Sequence, residues 1–68
     1  MKFNRITEYA ELSECGRYTV AGARVSDRLK FQAWRREPGK VASLLDTFDD
    51  AESAREACRR DAIAREAT

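Results

Sequence analysis

Polar and apolar positions alternate most regularly between Leu29 and Arg36. There Leu29, Phe31 and Ala33 share one face of an extended chain, while Lys30, Gln32, Trp34 and Arg36 share the other. The segment predicts a strand with one face for a core and one for a surface. A strand is also predicted upstream, from Tyr18 to Val25, with Tyr18, Val20 and Val25 as apolar anchors and Gly22 as a bulge that shifts the alternation. Ser26-Asp27-Arg28 supplies the turn between the two. Pro38-Gly39 predicts a further turn, because proline fixes φ and glycine accepts positive φ, and it leads into a third strand over Val41 to Phe48. Which of Leu44 and Leu45 points inward is left open by the pattern.

After Phe48 the period changes. Asp49, with Glu52 three residues on, has the form of a capping box, and Ala51, Ala54, Ala57, Cys58 and Ala62 fall along one side of a helix running from about Ala51 to Glu66. Such small residues let a helix lie close to a sheet, with Arg55, Glu56, Arg59 and Glu66 on its wet side. Near the N-terminus, Ile6, Tyr9 and Ala10 stand at helical spacing ahead of Gly16, which predicts a short N-terminal helix; the same residues also suit an edge strand. The predicted fold class is α+β, a three-stranded antiparallel sheet packed on a C-terminal helix in the order β-β-β-α. One sheet face lies under the helix and the other is free.

Length limits what this pattern can build. A domain of 68 residues hides only about 60% of the surface its unfolded chain exposes, enough for one small core, so residues 1–68 are predicted to form a single compact domain. With 43% hydrophobic and 37% charged residues, the chain has the composition of a folded globule rather than a disordered tail. Its apolar runs, such as Thr19 to Ala23, fall far short of the ~20 residues a membrane span needs. Glu8, Glu11 and Glu14 follow the first residues too closely for a signal-peptide core, so a cytoplasmic location is expected. Cys15 and Cys58 are expected to be free, partly buried thiols, with a bridge between them as the alternative.

Net charge is +1, but its distribution is uneven. Residues 24–40 carry six basic and two acidic groups, whereas residues 41–68 carry four basic and seven acidic. A basic hairpin opposite an acidic helix is the expectation. Arg24, Arg28, Lys30, Arg36 and Lys40 are expected to gather around Trp34 and Gln32 on the uncovered sheet face, a surface able to hold phosphates with Trp34 stacking on a base. Tryptophan among arginines is equally the composition of a protein–protein hot spot. A small sheet with one open face also wets that face with charged residues for solubility alone, and the residues do not choose among the three.

Catalysis is not expected. Histidine is absent, which removes the commonest general base and metal ligand together with every Ser-His or Cys-His arrangement. Two distant cysteines do not make a structural zinc site. Asp46, Asp49 and Asp50 sit at a strand-to-helix junction, where capping accounts for them. Gly16, Gly22 and Gly39 are too far apart for a phosphate loop. Neither a cofactor nor a metal is predicted.

Two resemblances extend this reading. Lys30-Phe31-Gln32-Ala33-Trp34, followed by Leu45-Asp46-Thr47-Phe48-Asp49-Asp50-Ala51-Glu52-Ser53-Ala54 and Ala57, resembles the second strand, third strand and helix of plant APETALA2-type domains and of phage integrase arm-binding domains. That likeness implies a three-stranded sheet entering a DNA major groove, with Arg24, Arg28, Lys30, Trp34 and Arg36 on the equivalent strands. Asp46 stands where the family has glycine after the leucine, and Arg24 is the one arginine of a first strand that is arginine-rich in the family. The whole chain, compact and rich in arginine and alanine, is also similar to small phage and prophage accessory proteins, among them anti-CRISPR proteins. This second likeness implies a non-enzymatic inhibitor that binds a host protein or ribonucleoprotein complex through the Trp34 face. A DNA-binding module is the alternative, and a homodimer through the open face a third.

Overall fold

A computed structural model describes residues 1–66. The chain forms five strands and a helix: β1 (Phe3–Thr7), β2 (Ala10–Ser13), β3 (Tyr18–Val25), β4 (Arg28–Arg35), β5 (Ser43–Phe48) and α1 (Ala51–Glu66). The strands make one antiparallel meander in the order β1-β2-β3-β4-β5, and α1 lies across one face of β3, β4 and β5. The α+β class and the C-terminal helix are as expected. The sheet has five strands rather than three.

The two added strands occupy the segment for which a short helix or an edge strand was expected, and the strand reading holds. An isolated helix of under about 12 residues is marginal in water. Pairing with β3 instead satisfies backbone groups that would otherwise form an open edge, and Ala10, Glu11 and Leu12 register against Ala21, Val20 and Thr19. Phe3 then reaches the core from β1, and the buried Ser13 uses its hydroxyl oxygen to accept the Tyr18 amide at 3.1 Å.

The core is small, as length requires. Tyr18, Val20, Ala33, Ala54 and Cys58 are buried at its centre, ringed by Phe3, Phe31, Leu45, Phe48, Ala57 and Ala62. Ala54 and Cys58 have no exposed surface, which is the close helix-to-sheet approach their size permits. Cys58 is thus sealed under the helix while Cys15 is exposed, and both thiols are free.

Each hairpin follows from local chemistry. Ser26 and Asp27, at φ 48° and 65°, form a two-residue turn between the paired Val25 and Arg28, where short polar side chains tolerate the left-handed region. At Glu37–Lys40 the Lys40 amide donates to the Glu37 carbonyl at 3.1 Å, with Gly39 at φ +74° behind Pro38.

The irregularity expected at Gly22 lies elsewhere. β3 and β4 pair without interruption from Tyr18↔Arg35 to Val25↔Arg28, while β5 is bulged at Leu45, between partners of Ala33 and Trp34. Leu45 consequently packs on the core and Leu44 turns to the opposite face, 47% exposed. At Gly22 the amide donates to the Tyr9 carbonyl at 2.6 Å.

Asp50, not Asp49, caps α1. One carboxylate oxygen accepts the Ser53 amide at 2.7 Å and the other accepts the Ser53 hydroxyl at 3.1 Å, satisfying a first-turn donor. The helix lacks the length and apolarity to cross a membrane.

Candidate functional site: the uncovered sheet face

Strand alternation decides what the face away from α1 carries. On β4 these positions are Lys30, Gln32 and Trp34; their cross-strand neighbours are Ala23, Ala21 and Thr19 on β3, and Thr47 and Leu44 opposite Gln32 and Trp34 on β5. Leu12 on β2 lies beside Thr19 and extends the row. Leu12, Thr19, Trp34 and Leu44 therefore form a continuous transverse stripe across four strands. Trp34 is half-buried within it although α1 lies on the opposite face of the sheet. Its indole Nε1 donates to Gln32 Oε1 at 3.3 Å, which satisfies the one polar group of the ring inside the face.

The cations are arranged differently from the expectation. Lys30 lies on this face but is ion-paired with Asp49, whose carboxyl the ammonium holds below the usual range. Arg28, opposite Val25 at the hairpin end, and Arg36, just beyond β4, are exposed on its two flanks. Arg24 is not part of the face. With no bulge at Gly22, Arg24 pairs with Leu29 on the side of the sheet that carries Val20 and Ala33, and Val25 takes the open side. Lys40 is bound to Glu37 at 3.4 Å, away from Trp34. The face brings together Trp34, Gln32 and Lys30 at its middle, with Arg28 and Arg36 at its ends and Arg24 behind it.

The opposite surface is not the acidic one expected. Glu52 holds Arg55 at 3.1 Å and Arg59 at 2.9 Å, and Glu56 holds Arg59 at 3.2 Å, so the outer helix charges are matched along its length. Arg55 turns back to the sheet, donating through Nε and Nη2 to the two Glu11 oxygens at 2.7 and 2.9 Å. This fork holds Glu11 below the usual carboxylate range and pushes Arg55 up. Asp61 accepts from the Tyr18 hydroxyl at 2.7 Å and from Arg35 at 3.1 Å. The expectation for Glu66 concerns a side chain outside the described residues.

The two thiols differ: burial pushes the Cys58 thiol up to about 11, so it stays protonated, whereas hydrogen bonds with the Ser13 hydroxyl and the Arg17 backbone hold the exposed Cys15 thiol below its ordinary value. Among the described residues no three Cys, Asp or Glu side chains gather as metal ligands: Asp46 accepts its neighbour Thr47's amide, Asp49 holds Lys30 and Asp50 caps the helix.

Sequence reading missed Leu12, Thr19, Leu44 and Thr47 as members of the face. The alternation of Ala10-Glu11-Leu12-Ser13 was a signal for the first of these; Leu44 needed the bulge. In comparisons with known proteins, no family model, curated protein or solved structure matches the chain.

Proposed function

We propose that the chain is a non-enzymatic binding domain that engages a protein partner through the uncovered sheet face, and that it acts there as a stoichiometric inhibitor of a host protein complex, of the kind the phage accessory proteins supply. The observation that carries the reading is Trp34 lying across that face in a stripe with Leu12, Thr19 and Leu44, its indole N–H already satisfied by Gln32. A large, pre-ordered aromatic surface with its polar group paired loses little freedom and leaves no donor stranded when a partner covers it. Charge supports a protein over DNA. Lys30 is neutralised by Asp49 and Arg24 faces away, so the centre of the face lacks the uncompensated cations that phosphates require. The anti-CRISPR reading is one member of this class, and it rests on the resemblance alone.

Trp34→Ala is expected to weaken the complex by about 2 kcal/mol or more, as truncation of a central aromatic does, with an unchanged circular dichroism spectrum and melt. A variant that folds and keeps full affinity would place the interface elsewhere. In a companion titration, duplex DNA at low salt should give no saturable binding. Binding that falls steeply with salt, with a slope flattened by Lys30→Gln or Arg36→Gln, would transfer the face to nucleic acid.

A further inference from the structure

At the end of the sheet farthest from the Ser26-Asp27 turn, the Arg36 amide donates to the Arg17 carbonyl at 2.6 Å and fixes the two residues side by side. Beside them opens a cavity of about 690 Å³, within the size range of peptide and small-molecule sites. Tyr18, Pro38 and Ala62 give it apolar lining, and Arg17, Arg35, Arg36 and Arg65 give it four guanidinium groups. Among the described residues Arg17 and Arg36 have no ion-pair partner. Arg35 reaches Asp61 through Nη1, but its Nε is buried without a hydrogen bond, because the nearest acid, Glu37, lies 3.4 Å away and off the N–H direction. Two carboxylates also line the cavity. Glu37 is already shared among Arg35, Lys40 and Arg65, and Glu14 alone is left to oppose the arginines.

We infer that this cavity takes an extended acidic peptide segment, with carboxylates on Arg17 and Arg36 and aliphatic carbons over Tyr18, Pro38 and Ala62. Guanidinium forks match carboxylates in geometry as well as charge. The apolar lining favours a peptide over inorganic phosphate, which has no use for it. The inference goes beyond the role of Trp34 and does not depend on it.

The test is an NMR titration of the full chain, 15N-labelled, with the acetylated and amidated peptide Glu-Glu-Leu-Glu-Glu. Saturable shifts are expected at the amides of Cys15, Arg17 and Arg36. The double variant Arg17→Gln, Arg36→Gln should bind at least about tenfold more weakly, having lost two charge-assisted contacts, with an unchanged melting temperature. Trp34→Ala should bind the peptide as the parent does, and inorganic phosphate and a single-stranded oligonucleotide of equal charge should bind more weakly. The inference is overturned by an absence of saturable shifts, by undiminished affinity in the double variant, by loss of binding in Trp34→Ala, or by phosphate or oligonucleotide binding as tightly as the peptide.

Discussion

Gly22 and Gly39 look alike in the sequence and differ in what holds them. A Cβ at Gly22 would meet Leu29 Cδ1, Tyr9 Cβ and the Tyr9 carbonyl at 3.5 Å, ordinary contact, and its φ lies outside the left-handed region. Gly22→Ala should therefore fold with equal or slightly higher stability, since alanine restricts the unfolded chain by about 0.4–1 kcal/mol. Gly39→Ala has open space around its Cβ but inherits φ +74°, and it should lose about 1 kcal/mol in chemical denaturation. The Tyr18–Asp61 pair makes stability depend on pH at both ends. Burial, then the hydrogen bond to Asp61, raises the Tyr18 phenol to about 12. Its contribution is complete below the ordinary phenol value of 10.0 and is lost as pH rises through 12. Cys58, raised from 9.0 to about 11, adds to the same alkaline decline. Burial pushes Asp61 up, but its bonds from Tyr18 and Arg35 outweigh burial, so its contribution holds above 3.8 and is lost as pH falls through the lowered value. Melts recorded against pH should show a plateau with both flanks falling. Tyr18→Phe should flatten the alkaline flank between about pH 10 and 12, leaving the part due to Cys58; an unchanged flank would contradict the pairing.

Among the elements, the helix was the most legible in the sequence and its cap the least. The run of small residues at helical spacing located the helix at about Ala51 to Glu66, because a helix lying close to a sheet puts Ala54 and Cys58 one turn apart on its buried side. Choosing between Asp49 and Asp50 required knowing that Lys30, nineteen positions away in the chain, lies beside Asp49. Asp50→Ala should accordingly destabilise the fold by about 1 kcal/mol, while Asp49→Ala should leave the melting temperature nearly unchanged, as loss of a solvent-exposed pair does. Equal effects of the two would refute the assignment. β1 and β2 were legible only as an alternative to a helix, because they are strands of five and four residues held by pairing, β2 on β3 and β1 on β2. The misplaced bulge shows how one residue propagates. Placed at Gly22, it sends Arg24 to the open face; placed in β5, it leaves Arg24 behind the sheet and sends Leu44 forward. The alternation of β4, by contrast, assigned Trp34, Gln32 and Lys30 to one face directly, because that strand is regular along its whole length.

For the molecule as a whole, segment charges predicted a dipole, and pairing between the segments reduces it: Lys30 of the basic hairpin is matched by Asp49, and Arg35 by Asp61 on the helix. What remains is a nearly neutral sheet face bearing a stripe centred on Trp34, flanked by Arg28 and Arg36 and backed by one helix. The central claim is that this face meets a protein. It is tested most directly by capture from a nuclease-treated bacterial lysate, with the parent chain and folded Trp34→Ala compared side by side. The account predicts a defined protein retained stoichiometrically by the parent, indifferent to nuclease and lost with Trp34→Ala. Retention that disappears on nuclease treatment, or that survives intact in Trp34→Ala, would contradict it.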